Sequence, residues 1–253
     1  MIRDVSESYR LAIQETVAHF INWRPSIEKI DKLKTEGGWN NDWEASLELI
    51  RRQINYQKLS FKVPRKLDLI DVFNNFYFGG EPKGDSKEWK GFIRNEKLLV
   101  NQNFFREISK KDFKWGFVSG AEASSIKFIL EERLNLIKPP FIAMGDAPDK
   151  PSPEGLIKLS RQLVGKELGE GVPPITFIGD TVADVLTIKN ARRAIPTQIF
   201  FTLAVSPPHL QKKQQINKRI QYEKELKLAG SDYIINSTKE TIKYTLKLIN
   251  RSV

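Results

Sequence analysis

The sequence predicts an α/β protein, a Rossmann-like parallel sheet with an all-helical segment ahead of it. Three observations carry that expectation. From Phe113 onward, short apolar runs alternate with helical stretches, as in a parallel sheet with right-handed crossovers. Those runs are rich in Ile, Val and Phe without clean alternation, which suits strands buried on both faces. Residues 6 to about 110 carry helical periodicity and almost no strand pattern.

In chain order, Ser6 reads as the cap of a first helix, with Tyr9, Ile13, Val17 and Phe20 along one face. Pro25 opens a second, short helix. A third starts after Asn41 or Asp42 and lines up Trp43, Leu47, Ile50 and Ile54. KLDLIDVFNNFYF makes a fourth, ended by the Gly79-Gly80-Glu81-Pro82 cluster, and a charged loop runs on to about Gly91. Five strands are expected in FKWGFVSG, PPFIAMGD, PPITFIGD, PTQIFFTLAV and SDYIIN. Helices between and after them are expected to begin near Ala121, Pro153, Thr181, Pro208 and Thr238.

Composition narrows the chemistry. The 253 residues contain no Cys, which excludes disulfides, thiolate zinc sites and thiol nucleophiles. Two histidines, His19 and His209, argue against a His-rich metal site. No apolar run approaches the ~20 residues of a membrane helix. MIRDVSESYR lacks the apolar core of a secretory signal, so a cytoplasmic protein is expected. The net charge is +10, and residues 205–253 hold ten Lys or Arg against four Asp or Glu. Glu223 and Glu225 interrupt that run, and no aromatic interleaving in it suggests base stacking. It therefore reads as the wet face of a helix rather than a nucleic-acid surface.

In open parallel sheets, ligands bind at the carboxyl ends of the strands. The residues there are Ser119-Gly120, Gly145-Asp146, Gly179-Asp180 and Ser206. In ITFIGDTVADVL, Asp180 ends a strand and Asp184 lies one turn into the next helix. Two carboxylates converging without a Lys or Arg beside them would call for a cation, and hard oxygen ligands suit Mg²⁺. The competing reading is an Asp180 helix cap followed by a solvated Asp184. Ser119 and Gly120 offer a hydroxyl and free amides for a phosphate, or simply a turn. Lys150, between turn formers in APDKPSPEGL, could neutralise a phosphate as a point charge.

Taken in this order, the three segments resemble motifs II, III and IV of the haloacid dehalogenase superfamily of phosphohydrolases, in the branch with a helical cap. Ser119 in VSG matches motif II, Lys150 in DKPSPEGL motif III, and Asp180 and Asp184 in GDTVAD motif IV. The resemblance implies a discontinuous core of residues 1–9 and 108–253, with residues 10–107 as the cap. It is closest to the phosphoglycolate-phosphatase type. It further implies Mg²⁺ held by Asp180 and Asp184, phosphate bound by Ser119, Gly120 and Lys150, and hydrolysis of a small phosphorylated metabolite through a phosphoaspartate. Arg24, Lys34, Asn40, Asn41, Asp42 and Trp43 are the cap candidates for contact with a leaving group, although helix capping and core packing are the favoured reading of them.

One part of the family pattern is missing. Its first motif is a strand ending in Asp-x-Asp-Gly, with a nucleophile and a general acid and base. No Asp-x-Asp occurs in the chain, and Met1-Ile2-Arg3-Asp4 resembles the four residues immediately after that motif. The missing strand would lie centrally, between those carrying Ser119 and Asp180. The expectation is a native start about 10–20 residues earlier, enough for one strand and a lead-in. The alternative is a chain that binds phosphorylated ligands without turnover, or a relic.

Overall fold

The computed structural model describes residues 1–36, 38–39 and 41–250. The chain forms two compact units, Met1–Arg3 with Leu98–Val253, and Asp4–Lys97. The sequence expectation put the divisions at 9/10 and 107/108.

The Asp4–Lys97 unit is helical, as the periodicity requires. It holds α1 (Tyr9–Ile21), α2 (Ile27–Thr35), α3 (Asp42–Gln57) and α4 (Lys66–Tyr77). α1 packs on α3 and α4. Ile13, Val17, Ile50, Leu69, Phe73 and Tyr77 fill the interior, with Tyr9 stacked 4.2 Å from Tyr77. Ser26 and Asn41 cap α2 and α3 through their side-chain oxygens. The first helix starts later than expected. Asp4 accepts the Ser6 amide in a turn of its own, so the cap position passes to Ser8. Ser8 is fully buried, and its hydroxyl donates to Glu96, which also accepts from Tyr77.

β1 (Arg3–Asp4) and β2 (Lys97–Leu98) form a short ladder. The larger unit then runs α5 (Gln102–Ser109), β3 (Phe117–Val118), α6 (Ala123–Lys127), β4 (Phe141–Ile142), α7 (Glu154–Val164), β5 (Ile175–Gly179), α8 (Val182–Ala194), β6 (Phe200–Val205), α9 (Ile216–Ala229), β7 (Tyr233–Ile235) and α10 (Thr241–Ile249). α5 sits with the sheet because Phe105 packs against Trp115 and Phe117.

The strands are parallel, as expected, but they form two sheets, β3-β4 and β5-β6-β7. α7 lies on β3 and β4 and also on α8, which covers β5 and β6. Leu156 of α7 and Ile188 of α8 share one core with Val118, Ile175, Phe177 and Phe200. On the opposite face, Ile178, Phe201, Leu203 and Val205 pack with Leu248 of α10 and with Met1. Both sheets thus belong to one layered core, and among the described residues β3 pairs only with β4 and β5 only with β6. On α9, Lys212, Lys213, Lys218, Lys224 and Lys227 lie exposed around and along the helix.

Candidate active site

Gly179 ends β5, and its missing side chain lets the chain turn tightly into α8. A Cβ there would overlap the Asp184 side chain, so only glycine lets α8 start this close to the strand. The cap of α8 is Thr181, whose hydroxyl accepts the Asp184 amide, while the Asp184 carboxylate accepts the Thr181 amide. The reading of Asp180 as the cap is thereby corrected. The Thr-x-x-Asp spacing in the sequence carried that signal.

Asp184 is 3% exposed and fully committed. Its Oδ2 accepts from the Asp180 amide, the Thr181 amide and the Thr181 hydroxyl at 3.1, 3.0 and 2.8 Å. Its Oδ1 accepts from the Lys150 Nζ at 2.6 Å. The expectation that no cation lies beside the two carboxylates is corrected: Lys150 is there. Burial works against charge on both partners. Even so, their mutual attraction and hydrogen bond hold the Asp184 carboxyl below the ordinary range and the Lys150 ammonium above it. Asp180 and Asp149 add to the pull on Lys150.

Ser119, Gly120, Ala143, Asp149 and Lys150 line one pocket at the ends of β3 and β4. The Ser119 Oγ accepts the Ala121 amide at 3.1 Å, a turn contact that leaves its proton free to donate. Gly120 is exposed, with open space where a side chain would stand. Asn190 Nδ2 steadies the Lys150 loop by donating to the Pro151 carbonyl. The Asp180 carboxylate remains 28% exposed, 3.8 Å from the Met1 amine. Its own carbonyl accepts from the Tyr222 hydroxyl at 2.7 Å, a contact from 42 positions away that no sequence pattern signalled.

The other strand ends do local work. Asp146 accepts the Ala143 amide, and the buried Ser206 donates to Glu223. Among the candidates in residues 10–107, Arg24 pairs with Glu15, Lys34 with Asp42, and Asn41 caps α3. Asn40 lies outside the described residues.

For a metal, the donor chemistry fits at one residue. Asp180 presents a carboxylate with accessible oxygen, whereas Asp184, expected as a second ligand, has spent both oxygens on protein donors. Among the described residues, no cluster of three or more His, Cys, Asp or Glu could hold an ion. No helix among them is long and apolar enough to cross a membrane.

No family model matches the chain. It is 29% identical over 193 residues to imidazoleglycerol-phosphate dehydratase of Phytophthora nicotianae, a match covering 76% of this chain and 39% of that protein. The chain thus spans about two fifths of that relative's length. Among solved structures it is similar to the phosphatase Tt82 of Thermococcus thioreducens (23% identity, TM-score 0.56, covering 79% of this chain and 88% of that one). It is also similar to a HAD hydrolase of family IA, variant 3, from Entamoeba histolytica (14% identity, TM-score 0.60, 98% and 95%). At these identities the likeness speaks for architecture, and the chain has the α/β fold of the haloacid dehalogenase-like hydrolases.

Proposed function

We propose that this fold serves the hydrolysis of small phosphate esters, with the phosphoryl group held in the pocket between Ser119 and Lys150. The observation that carries this reading is the Lys150–Asp184 pair, which fixes a cation at the carboxyl ends of β3 and β5 beside a free hydroxyl. Ser119 and the Gly120 amide donate to the phosphoryl oxygens, and Lys150 offsets charge gathering on them as the ester breaks. Asp184 orients Lys150 and closes the first turn of α8. Mg²⁺ suits the Asp180 carboxylate and, when bound, would supply further positive charge to the phosphoryl oxygens. The helical unit Asp4–Lys97 is the part of the chain to which the resemblance assigns the choice of leaving group. The chain contains no Asp-x-Asp to supply the attacking carboxylate that the resemblance implies.

The test is phosphate release from a panel of small phosphomonoesters by a form extended ahead of Met1 with an apolar strand ending in Asp-x-Asp-Gly. The panel includes imidazoleglycerol phosphate, because a curated relative bears that compound in its name. Metal-dependent release that is lost in Lys150→Met supports the reading, and no release from any ester overturns it. The missing nucleophile favours a second reading, in which the chain from Met1 binds phosphorylated ligands without turnover. Saturable binding of inorganic phosphate by this chain, weakened at least about tenfold in Lys150→Met, would support that one.

A further inference from the structure

We propose that α9 docks on anionic lipid surfaces, through an outward face on which aliphatic side chains and lysines are interleaved. Its inward face belongs to the core: Leu226 is fully buried, and Tyr222 and Ala229 pack with Val182, Val185, Ala204 and Ile234. On the outward face, Ile216, Ile220 and Leu228 are 51%, 58% and 77% exposed. At 3.6 residues per turn they share an arc of about 140° with Asn217, Gln221, Lys224 and Lys227. Lys212 and Lys213 stand exposed at the approach to the same helix.

That arc contains no carboxylate. From Lys212 to Leu228 there are six basic residues against two acidic ones, and both acids lie outside the arc. Glu223 is occupied by Arg219 and the Ser206 hydroxyl, and Glu225 accepts from Gln221. Lys227 donates to the Ser231 and Asp232 carbonyls, neutral acceptors that hold the ammonium without cancelling its charge.

The chemistry of this face selects its occupant. A nucleic acid would use the lysines, but its bases would find no aromatic ring in the arc and the aliphatics would meet polar phosphates. A protein groove that takes a helix reads a continuous apolar stripe, which Glu223, Lys224 and Lys227 interrupt here. A lipid surface uses both kinds of side chain at once. The aliphatic tips enter the boundary between headgroups and acyl chains, while the lysine stems lie alongside and deliver their ammonium groups to anionic headgroups. Three aliphatic tips are few, so the association is reversible and needs both contributions. It does not rest on the proposed phosphatase activity.

The test is sedimentation of the 253-residue chain with vesicles of phosphatidylcholine alone, or with about 30% phosphatidylserine. Partitioning onto the anionic vesicles should exceed that onto neutral ones by at least about tenfold, and fall steeply as salt rises from about 0.05 to 0.2 M. Ile220→Ser with Leu228→Ser, which leaves the charge unchanged, should weaken partitioning by at least about tenfold. Lys224→Gln with Lys227→Gln should weaken it similarly and flatten the salt dependence. All four side chains are exposed, so both variants should unfold in urea with the wild type. Because the chain has no Cys, Ile220→Cys accepts a single polarity-sensitive fluorophore. Its emission should shift to the blue on anionic vesicles, whereas the same label at Glu170→Cys, exposed on the α7–β5 loop, should not shift. Equal partitioning onto both kinds of vesicle, undiminished partitioning of the aliphatic variant, or an unshifted label at position 220 would overturn the inference. So would tighter, salt-sensitive retention on duplex RNA than on the vesicles, or a dimer in solution that the aliphatic variant dissolves.

Discussion

β5 and β6 lie side by side with similar sequences, ITFIG and FFTLAV, and their burial differs. Five of six β6 residues are buried, against one of five in β5. β6 is paired on both edges, with β5 and β7; β5 is paired on one. Apolar content therefore does not set burial here. A strand in a parallel sheet is sealed by its neighbours along the hydrogen-bonding direction as well as by helices above and below. The half of the sheet from β6 outward is finished, whereas β5 and β3 retain edges of interior composition.

The largest effect is expected where β5 meets α8. Gly179→Ala places a methyl group inside the Asp184 side chain and drives that carboxylate off Lys150. Unfolding in urea should show a loss of about 4 kcal/mol. A loss below about 1 kcal/mol would mean that α8 can shift and that the close approach is not required.

Asp184→Asn should cost about 3 kcal/mol, because Lys150 is left without its partner at a largely buried site. The Asp184 carboxyl is depressed in the fold, so its contribution is present above the ordinary carboxylate value and is lost as pH falls through the depressed one. Lys150 is raised, so its contribution holds below the ordinary lysine value and is lost as pH rises through the raised one. The stability gap between wild type and Asp184→Asn should therefore stay flat from about pH 5 to 9 and close below about pH 4. A gap unchanged at acid pH would show that Lys150 does not stabilise the carboxylate.

The strand comparison itself can be sharpened. Leu203→Ala in β6 should cost about 3 kcal/mol and Ile178→Ala in β5 about half as much, since Leu203 is 0% exposed and Ile178 is partly open. Equal losses in thermal unfolding would remove the distinction between the two strands. The smallest effect belongs to Tyr222→Phe, which deletes the hydroxyl donated to the Asp180 carbonyl. About 1 kcal/mol is expected, with a matching shift in the Asp180 amide resonance.

Much of this was legible in the sequence. The alternation after Phe113 gave every core strand, and the helical periodicity gave α1, α3 and α4. The strand-end positions of Ser119, Lys150 and Asp180 come from turn formers beside apolar runs. What escaped was contact through space. Lys150 and Asp184 are 34 positions apart and meet only because α7 carries the chain across to β5. A period cannot show that, so the two carboxylates read as lacking a cation. The start of α1 was misplaced because Asp4 competes locally for the Ser6 amide. β3 and β4 are shorter than their apolar runs, since a strand extends only as far as a partner pairs with it.

The most direct test of the unfinished sheet is amide exchange in the chain alone. Val118, Thr176 and Ile178 should exchange fast, while their immediate neighbours Phe117, Ser119, Ile175 and Phe177 stay protected. Uniform protection along β3 and β5 would contradict the account, because it would mean that both edges already have partners.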